Sequence, residues 1–148
     1  MCYADYTDYL AQYLGTSIRE QDFPRLALRA SAFLDAYTQG RAARHAGTHA
    51  LTMACCALAE QYQMIETAQA LAQTALTASL QSGGEGELQS QSVGSWSKTY
   101  RSAGERAREA DASVKTAQAE LPAVARQYLA GTGLLYRGRG CGPCSRIR

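Results

Sequence analysis

Cys141 and Cys144, separated by Gly142 and Pro143, form the part of the sequence that most closely matches a chemical motif. Two thiols at this spacing can interconvert with a disulfide when one thiol has a lowered pKa, which a following helix N-terminus usually supplies. Only Ser145 and a short basic stretch follow Cys144, and they show no helical pattern. A thiol–disulfide redox protein is therefore one alternative interpretation, and a tail without redox activity is the expected one.

The other residues that could bind a metal or attack a substrate lack a supporting pattern. Cys55-Cys56 lies within a helical segment, where small thiols are typical of buried positions. Cys2 with His45 or His49 does not have the spacing of a zinc finger. The serines between 90 and 97 lack the GxSxG turn that exposes a nucleophile. We therefore expect no catalytic residue, no metal site and no cofactor.

The charge distribution leaves a second alternative open. The formal net charge of +2 is too small to indicate nucleic-acid binding by itself. After Gly133, however, all charged residues are arginines, and the preceding chain carries more acids than bases. A basic helical module that binds nucleic acid would use this end, and its affinity would fall steeply with salt. The four arginines are Arg137, Arg139, Arg146 and Arg148.

Length and composition indicate one globular domain. Hydrophobic residues make up 46% of the 148 residues and charged residues 19%, which is sufficient for a sizeable core. No apolar run is long enough to cross a bilayer. The sequence after Met1 does not have the basic-then-apolar pattern of a signal peptide. We expect a protein that is made in the cytoplasm and has no membrane partner.

Helices are the elements predicted to position these residues, because apolar side chains recur at spacings of three and four. The predicted segments are 6–14, 22–38, 48–80 and 102–130. The third would be about 50 Å long at 1.5 Å per residue, which indicates an elongated chain. Pro122 is predicted to kink or restart the fourth. The apolar faces predicted to be buried include Tyr6, Tyr9, Leu10, Tyr13, Leu14, Leu26, Phe33, Leu51, Cys55, Leu58, Ile65, Leu71, Val114 and Leu121.

The stretch 83–100 interrupts the helical pattern. Glycines at its start disfavour a helix, and the residues from Glu87 to Tyr100 favour an extended backbone with a reversal near Val93-Gly94. This pattern predicts a β-hairpin over 87–100. A two-stranded ribbon is marginal by itself in water, so it needs a surface to lie on. The chain's own helices provide that surface if this is an ordinary surface hairpin. Neighbouring chains provide it if this is an assembly element that pairs with them.

The fold class is therefore predicted to be all-α, an elongated helical bundle with one inserted β-hairpin and an extended C-terminal tail. Residues 1–133 form the predicted helical domain, and 134–148 form the predicted basic tail. Leu134, Leu135 and Tyr136 follow the glycines that end the last helix, with no helical segment to bury them. We expect these apolar residues to dock onto another surface.

Four stretches of the chain form a pattern when they are taken together. They are the short Tyr-rich first helix, Asp22 to Ser31, Gln91 to Ser97, and Tyr128-Leu129 running into Gly131 to Gly138. In this order they resemble the head–tail connector proteins of long-tailed bacteriophages, the adaptor or head-completion family, over most of the chain. The chain departs from the family's pattern at Lys98, where a more strand-like residue is expected, and in the cysteine-bearing end after Gly140.

The resemblance implies a structural virion protein without enzymatic activity. Such subunits form a homo-oligomeric ring, twelvefold in this family, beneath the portal protein. The ring extends the DNA channel, carries DNA only as cargo, and attaches the next stopper or tail-completion protein. We predict that the hairpin supplies the contact between subunits and that the start of the tail docks onto the portal. The predicted interface residues are Gln91, Ser92, Val93, Gly94, Ser95, Trp96 and Tyr100, and the predicted docking residues are Leu134, Leu135, Tyr136 and Arg137.

Overall fold

The computed structural model describes residues 2–81, 90–93, 96–99 and 103–135. This part of the chain is mainly helical, which confirms the all-α prediction. Helix α1 spans Tyr6–Ala11, α2 spans Phe23–Tyr37, α3 spans His49–Gln81 and α4 spans Ala103–Leu129. A short 3₁₀ turn, Ala42–His45, lies between α2 and α3. The helices α2, α3 and α4 lie within one residue of their predicted bounds.

The start of α1 follows from its local sequence, but its end does not. The Asp5 carboxylate accepts from the Asp8 backbone N–H, and the Asp8 carboxylate accepts from the Asp5 N–H, which forms a complete capping box. The helix ends at Ala11, three residues before the predicted end. Leu14 has a left-handed backbone conformation with φ of 59°. Leu10 and Leu14 are 47% and 76% exposed, so their predicted burial is wrong.

Helix α2 begins with Pro24 in its first turn, as predicted, although the Asp22 side chain makes no capping hydrogen bond. It ends where Gln39 and Gly40 both adopt positive φ and the Gly40 N–H donates to the Asp35 carbonyl at 2.8 Å. That closure is typical of a glycine-terminated helix. The chain then reverses through the 3₁₀ turn into α3.

Helix α4 runs through Pro122 without interruption, so the predicted restart there is wrong. Proline removes one helical hydrogen bond and usually breaks a helix interior. Here Leu121 and Ala125, on either side of Pro122, are buried in the core. Tertiary packing therefore holds the helix together where the local sequence favours a break.

One hydrophobic core lies between α2, α3 and α4, with α1 packed beside α3. Among the helical residues whose burial the structure describes, the last buried one of α3 is Ile65, with Ala68 half-buried, and the first buried one of α4 is Val114. Both helices continue past these points. The largest fully buried side chains are those of Tyr9, Phe23, Ile18, Leu26, Leu34, Leu51, Leu58, Ile65 and Leu129.

Two short strands, β1 (Ser90–Val93) and β2 (Trp96–Thr99), follow α3 in the sequence and precede α4. They pair with each other in antiparallel orientation, with Gln91 opposite Lys98 and Val93 opposite Trp96. These are the only residues of the predicted hairpin that the structure describes. Gly94, Ser95 and Tyr100 lie outside the described residues. The hairpin over 87–100 therefore remains a prediction, as does its role between subunits.

The start of the predicted tail belongs to the helical core. Leu134 is only 3% exposed, and the half-buried Leu135 packs against the same core. The Arg41 Nε donates to the Leu134 carbonyl at 2.8 Å, which ties this segment to the turn after α2. The prediction that Leu134 is an exposed docking residue is therefore wrong. Tyr136 and Arg137 lie outside the described residues.

Candidate functional site: the surface and polar clusters of α3

A polar cluster joins α1 to α3 at Glu60. The Tyr9 hydroxyl donates to Glu60 Oε1 at 2.7 Å, and the Tyr13 hydroxyl donates to Oε2 at 3.0 Å. The Tyr9 oxygen also accepts from the backbone N–H groups of Ser17 and Ile18, at 3.0 and 3.2 Å. Tyr9 therefore satisfies three polar groups from a side chain with no exposed surface.

Burial is the main cause that raises the pKa of Tyr9 and of Tyr13, and the Glu60 carboxylate raises both further. The raised pKa favours the protonated hydroxyls, which are the forms that donate to Glu60. This cluster orients the loop after α1 rather than activating a group for chemistry. In the described part of the chain, Glu60 forms no ion pair, so its charge has only hydroxyl partners.

A second polar cluster joins α2 to α3 on another side of α3. Arg25 and Arg29 both pair with Glu66 Oε1, and the Arg29 guanidinium lies 4.7 Å from the centre of the Tyr62 ring. The hydrogen bond from Arg25 is the main cause that lowers the pKa of Glu66. All three charged side chains are partly exposed, so the pairs contribute little to stability. The two arginines share the Glu66 carboxylate, and Asp22 also lies beside Arg25, so the charges of this cluster balance.

An apolar groove of about 440 Å³ runs along α3 from the Glu60 cluster toward Leu71. We call it the α3 groove, and it is lined by Glu60, Met64, Thr67, Ala68 and Leu71, with Ser17 and Gln63 at its edge. Met64 and Leu71 are 59% and 64% exposed. The predicted burial of Leu71 is therefore wrong. Sequence analysis missed this groove, although the seven-residue spacing of Met64 and Leu71 is a pattern that marks one face of a helix.

The thiols in the described part of the chain are Cys2, Cys55 and Cys56, and all three are free. Cys55 and Cys56 are fully buried, as predicted. Burial raises the pKa of Cys55 to about 11 and that of Cys56 to about 12. Since the thiolate is the reactive form, neither thiol is suited to nucleophilic or redox chemistry. Cys141 and Cys144 lie outside the described residues.

This environment predicts a clear pattern of thiol labelling. In full-length protein with Cys141 and Cys144 changed to serine, a maleimide or disulfide reagent at pH 8 should label Cys2 within minutes. Cys55 and Cys56 should react only after unfolding, because burial excludes the reagent and disfavours the thiolate. Mass spectrometry of the labelled protein counts the modified thiols. Rapid labelling of two or more thiols in the folded protein would contradict the buried environment described here.

Within the described ranges, no group of three or more histidine, cysteine or acidic side chains could hold a metal ion. No helix among them is both long and apolar enough to span a membrane. Comparisons of this chain with protein-family models, curated proteins and solved structures found no match.

Proposed function

We propose that this chain is a structural protein of the virion of a long-tailed bacteriophage, a head–tail connector that forms a ring beneath the portal. In this proposal the subunits assemble into a homo-oligomeric ring, twelvefold as the resemblance implies. The ring extends the DNA channel and presents a surface to the next stopper or tail-completion protein. Its location would be the head–tail interface of the particle.

The observation that carries this proposal is the extension of α3 and α4 beyond the core. Helix α3 has 33 residues and is therefore about 50 Å long. Among the residues of α3 whose burial the structure describes, the buried ones lie in its first half, and the helix continues for 16 residues after Ile65. A chain that uses much of its length to extend a helix pair past its own core has more surface for neighbours than its own stability requires.

Particles that contain this chain provide the direct test. Cryo-electron microscopy of intact particles and of isolated portal complexes should show a ring of mainly helical density below the portal, into which the helices α2, α3 and α4 fit. Deletion of the gene should leave DNA-filled heads without attached tails, and supplying the protein should restore attachment. Absence of the protein from purified particles, or its presence without rotational symmetry at the portal vertex, would exclude the proposed role.

The predicted hairpin gives this proposal a more specific test at Trp96. Trp96→Ala should weaken ring assembly at least about tenfold, because a desolvated aromatic anchor often contributes about 2 kcal/mol or more to an interface. The thermal melting temperature of the monomer should change little. Particle yield and monomer melting are measured on the same preparation. If the monomer melts early but assembles normally at low temperature, Trp96 belongs to the core of its own chain.

The portal-docking proposal changes with the burial of Leu134. Leu134 anchors this segment to the core, so the docking surface that we propose consists of Leu135, Tyr136 and Arg137. Leu134→Ala should destabilise the protomer by about 2–5 kcal/mol, as core leucine truncations do. A chain ending at Gly133 should be destabilised as well, so loss of portal binding by that truncation would not isolate docking. Arg137→Glu is the variant that tests docking without removing a core residue.

A further inference from the structure

We infer that the end of the chain, residues 139–148, folds back and binds in a cleft between α1 and the start of α3. The cleft has a volume of about 410 Å³, and we call it the N-terminal cleft. We call residues 139–148 the terminal segment, which lies outside the described residues. This inference goes beyond the proposed function and does not depend on it, because it concerns a contact within one chain. The polar side chains that line the cleft include those of Cys2, Asp5, Asp8, Gln12 and His49.

The N-terminal cleft has two carboxylates and no cation in its lining. Within the described residues, neither Asp5 nor Asp8 forms an ion pair, and no arginine or lysine lines the cleft. The groups that donate to the two carboxylates are neutral, namely two backbone N–H groups and the Gln12 amide. The N-termini of α1 and α3 offset at most about half a charge each, so about one negative charge remains uncompensated.

His49 adds a third acceptor to this lining. The Gln12 Nε2 donates to Asp8 Oδ1 at 2.6 Å, because a carboxylate can only accept. The Gln12 Oε1 therefore accepts from His49 Nδ1 at 3.0 Å. In the neutral ring this leaves Nε2 as an acceptor. Two carboxylates and an imidazole nitrogen suit a guanidinium group, which has five N–H donors and no acceptor.

The terminal segment carries the matching groups, because all of its charged side chains are guanidinium groups. The cavity lined by Asp22 and Glu66 is a poorer match for them, since Arg25 already lies beside these carboxylates. Charge complementarity therefore favours the N-terminal cleft as the place where the segment binds. The charged residues of the segment are Arg139, Arg146 and Arg148.

The chain leaves the core close enough to the cleft for this contact. The Leu134 carbonyl accepts from Arg41 Nε at 2.8 Å, and Ala46, five residues after Arg41, lines the cleft. Five residues span at most about 18 Å even when fully extended. The 13 residues from 136 to 148 can span about 43 Å, which exceeds that distance even with the length of the Arg41 side chain added.

Disulfide trapping in the full-length protein tests this contact with thiols that the chain already has. The variant Cys144→Ser keeps Cys141 as the thiol of the terminal segment, and Cys2 is the exposed thiol that lines the cleft. Oxidised glutathione at pH 8 accepts the two electrons that are released when Cys2 and Cys141 form a disulfide. At about 1 μM protein, where contacts within one chain outcompete contacts between chains, peptide mass spectrometry should find this disulfide within single chains.

The matched control moves the thiol out of the cleft. Cys2→Ser with Leu10→Cys, in the same Cys144→Ser background, places it at an exposed position of α1 outside the cleft lining. Its disulfide with Cys141 should form at least about tenfold more slowly, because a bound segment has a higher effective concentration at the cleft than elsewhere. The rate at which each thiol reacts with glutathione alone, measured with Cys141 also changed to serine, corrects for differences in reactivity.

Charge removal tests the cause of binding. Asp5→Asn with Asp8→Asn should slow formation of the Cys2–Cys141 disulfide at least about fivefold, and about 1 M salt should do the same without substitutions in the cleft. Asparagine still accepts the capping hydrogen bonds, so α1 should remain folded, which circular dichroism checks. Removing carboxylates lowers the pKa of a nearby thiol, so a slower reaction cannot result from a less reactive Cys2.

Equal rates for Cys2 and for the thiol of Leu10→Cys would overturn the inference. A rate that responds neither to salt nor to the asparagine substitutions would overturn it as well. Disulfides found only between two chains would also overturn it, because the segment in the cleft would then belong to another copy. If the double asparagine variant does not fold, the salt dependence and the Leu10→Cys control still decide the outcome. None of these results bears on the proposed ring beneath the portal.

Discussion

Replacing Gly15 by alanine should lower the free energy of unfolding by about 3 kcal/mol, at the upper end of the cost of overpacking a core. A Cβ at this position would lie 2.1 Å from two ring carbons of Tyr9. The ring cannot move aside easily, because Phe23 packs against it and its hydroxyl has three hydrogen-bond partners. Urea unfolding measures this effect as a lower midpoint with an unchanged slope.

Gly40→Ala provides the matched control for Gly15→Ala. Gly40 has a positive φ of 74° and open space around it, so alanine there adds only backbone strain of about 1 kcal/mol. In a Tyr9→Leu background, Gly15→Ala should cost less than in the wild type, since the collision partner is absent. If Gly15→Ala were no more destabilising than Gly40→Ala, steric contact with Tyr9 would not be the reason for the glycine.

Tyr9→Phe should also destabilise the protein by about 3 kcal/mol. The substitution keeps the ring but removes the oxygen that accepts from Ser17 and Ile18 and donates to Glu60. Each buried polar group left without a partner costs about 1–3 kcal/mol. The Ile18 N–H is the most costly of these, because Ile18 is 2% exposed and water cannot replace the lost acceptor.

Tyr13→Phe is the control for Tyr9→Phe, because the Tyr13 side chain is half-buried, so water can replace the bonds that its hydroxyl makes with Glu60 and Tyr128. Loss of this hydroxyl should cost about 1 kcal/mol. Amide hydrogen exchange adds a local measurement: in Tyr9→Phe the Ser17 and Ile18 amides should exchange faster than in Tyr13→Phe. Equal destabilisation by the two substitutions would contradict the central role of Tyr9.

The sequence by itself determined where most of the helices begin and end. Those boundaries depend on local chemistry, such as the Asp5 capping box, Pro24 in the first turn of α2 and the left-handed Gly40. The burial of Cys55, Leu58 and Ile65 followed from their spacing alone. The resemblance to connector proteins rests on the sequence, and the role of the hairpin remains a prediction.

Only the tertiary structure decided which apolar residues are covered. Leu14 and Leu71 have the same spacing as core residues but are 76% and 64% exposed, and Leu14 lies past the end of α1 at Ala11. Leu134 follows the last helix and is nevertheless buried, since the chain folds back to Arg41. Periodicity reveals which residues share a face of a helix, but whether another element reaches that face depends on contacts between residues distant in sequence. Gly15 shows the same limit, because its constraint comes from a ring six positions earlier that the turn brings into contact.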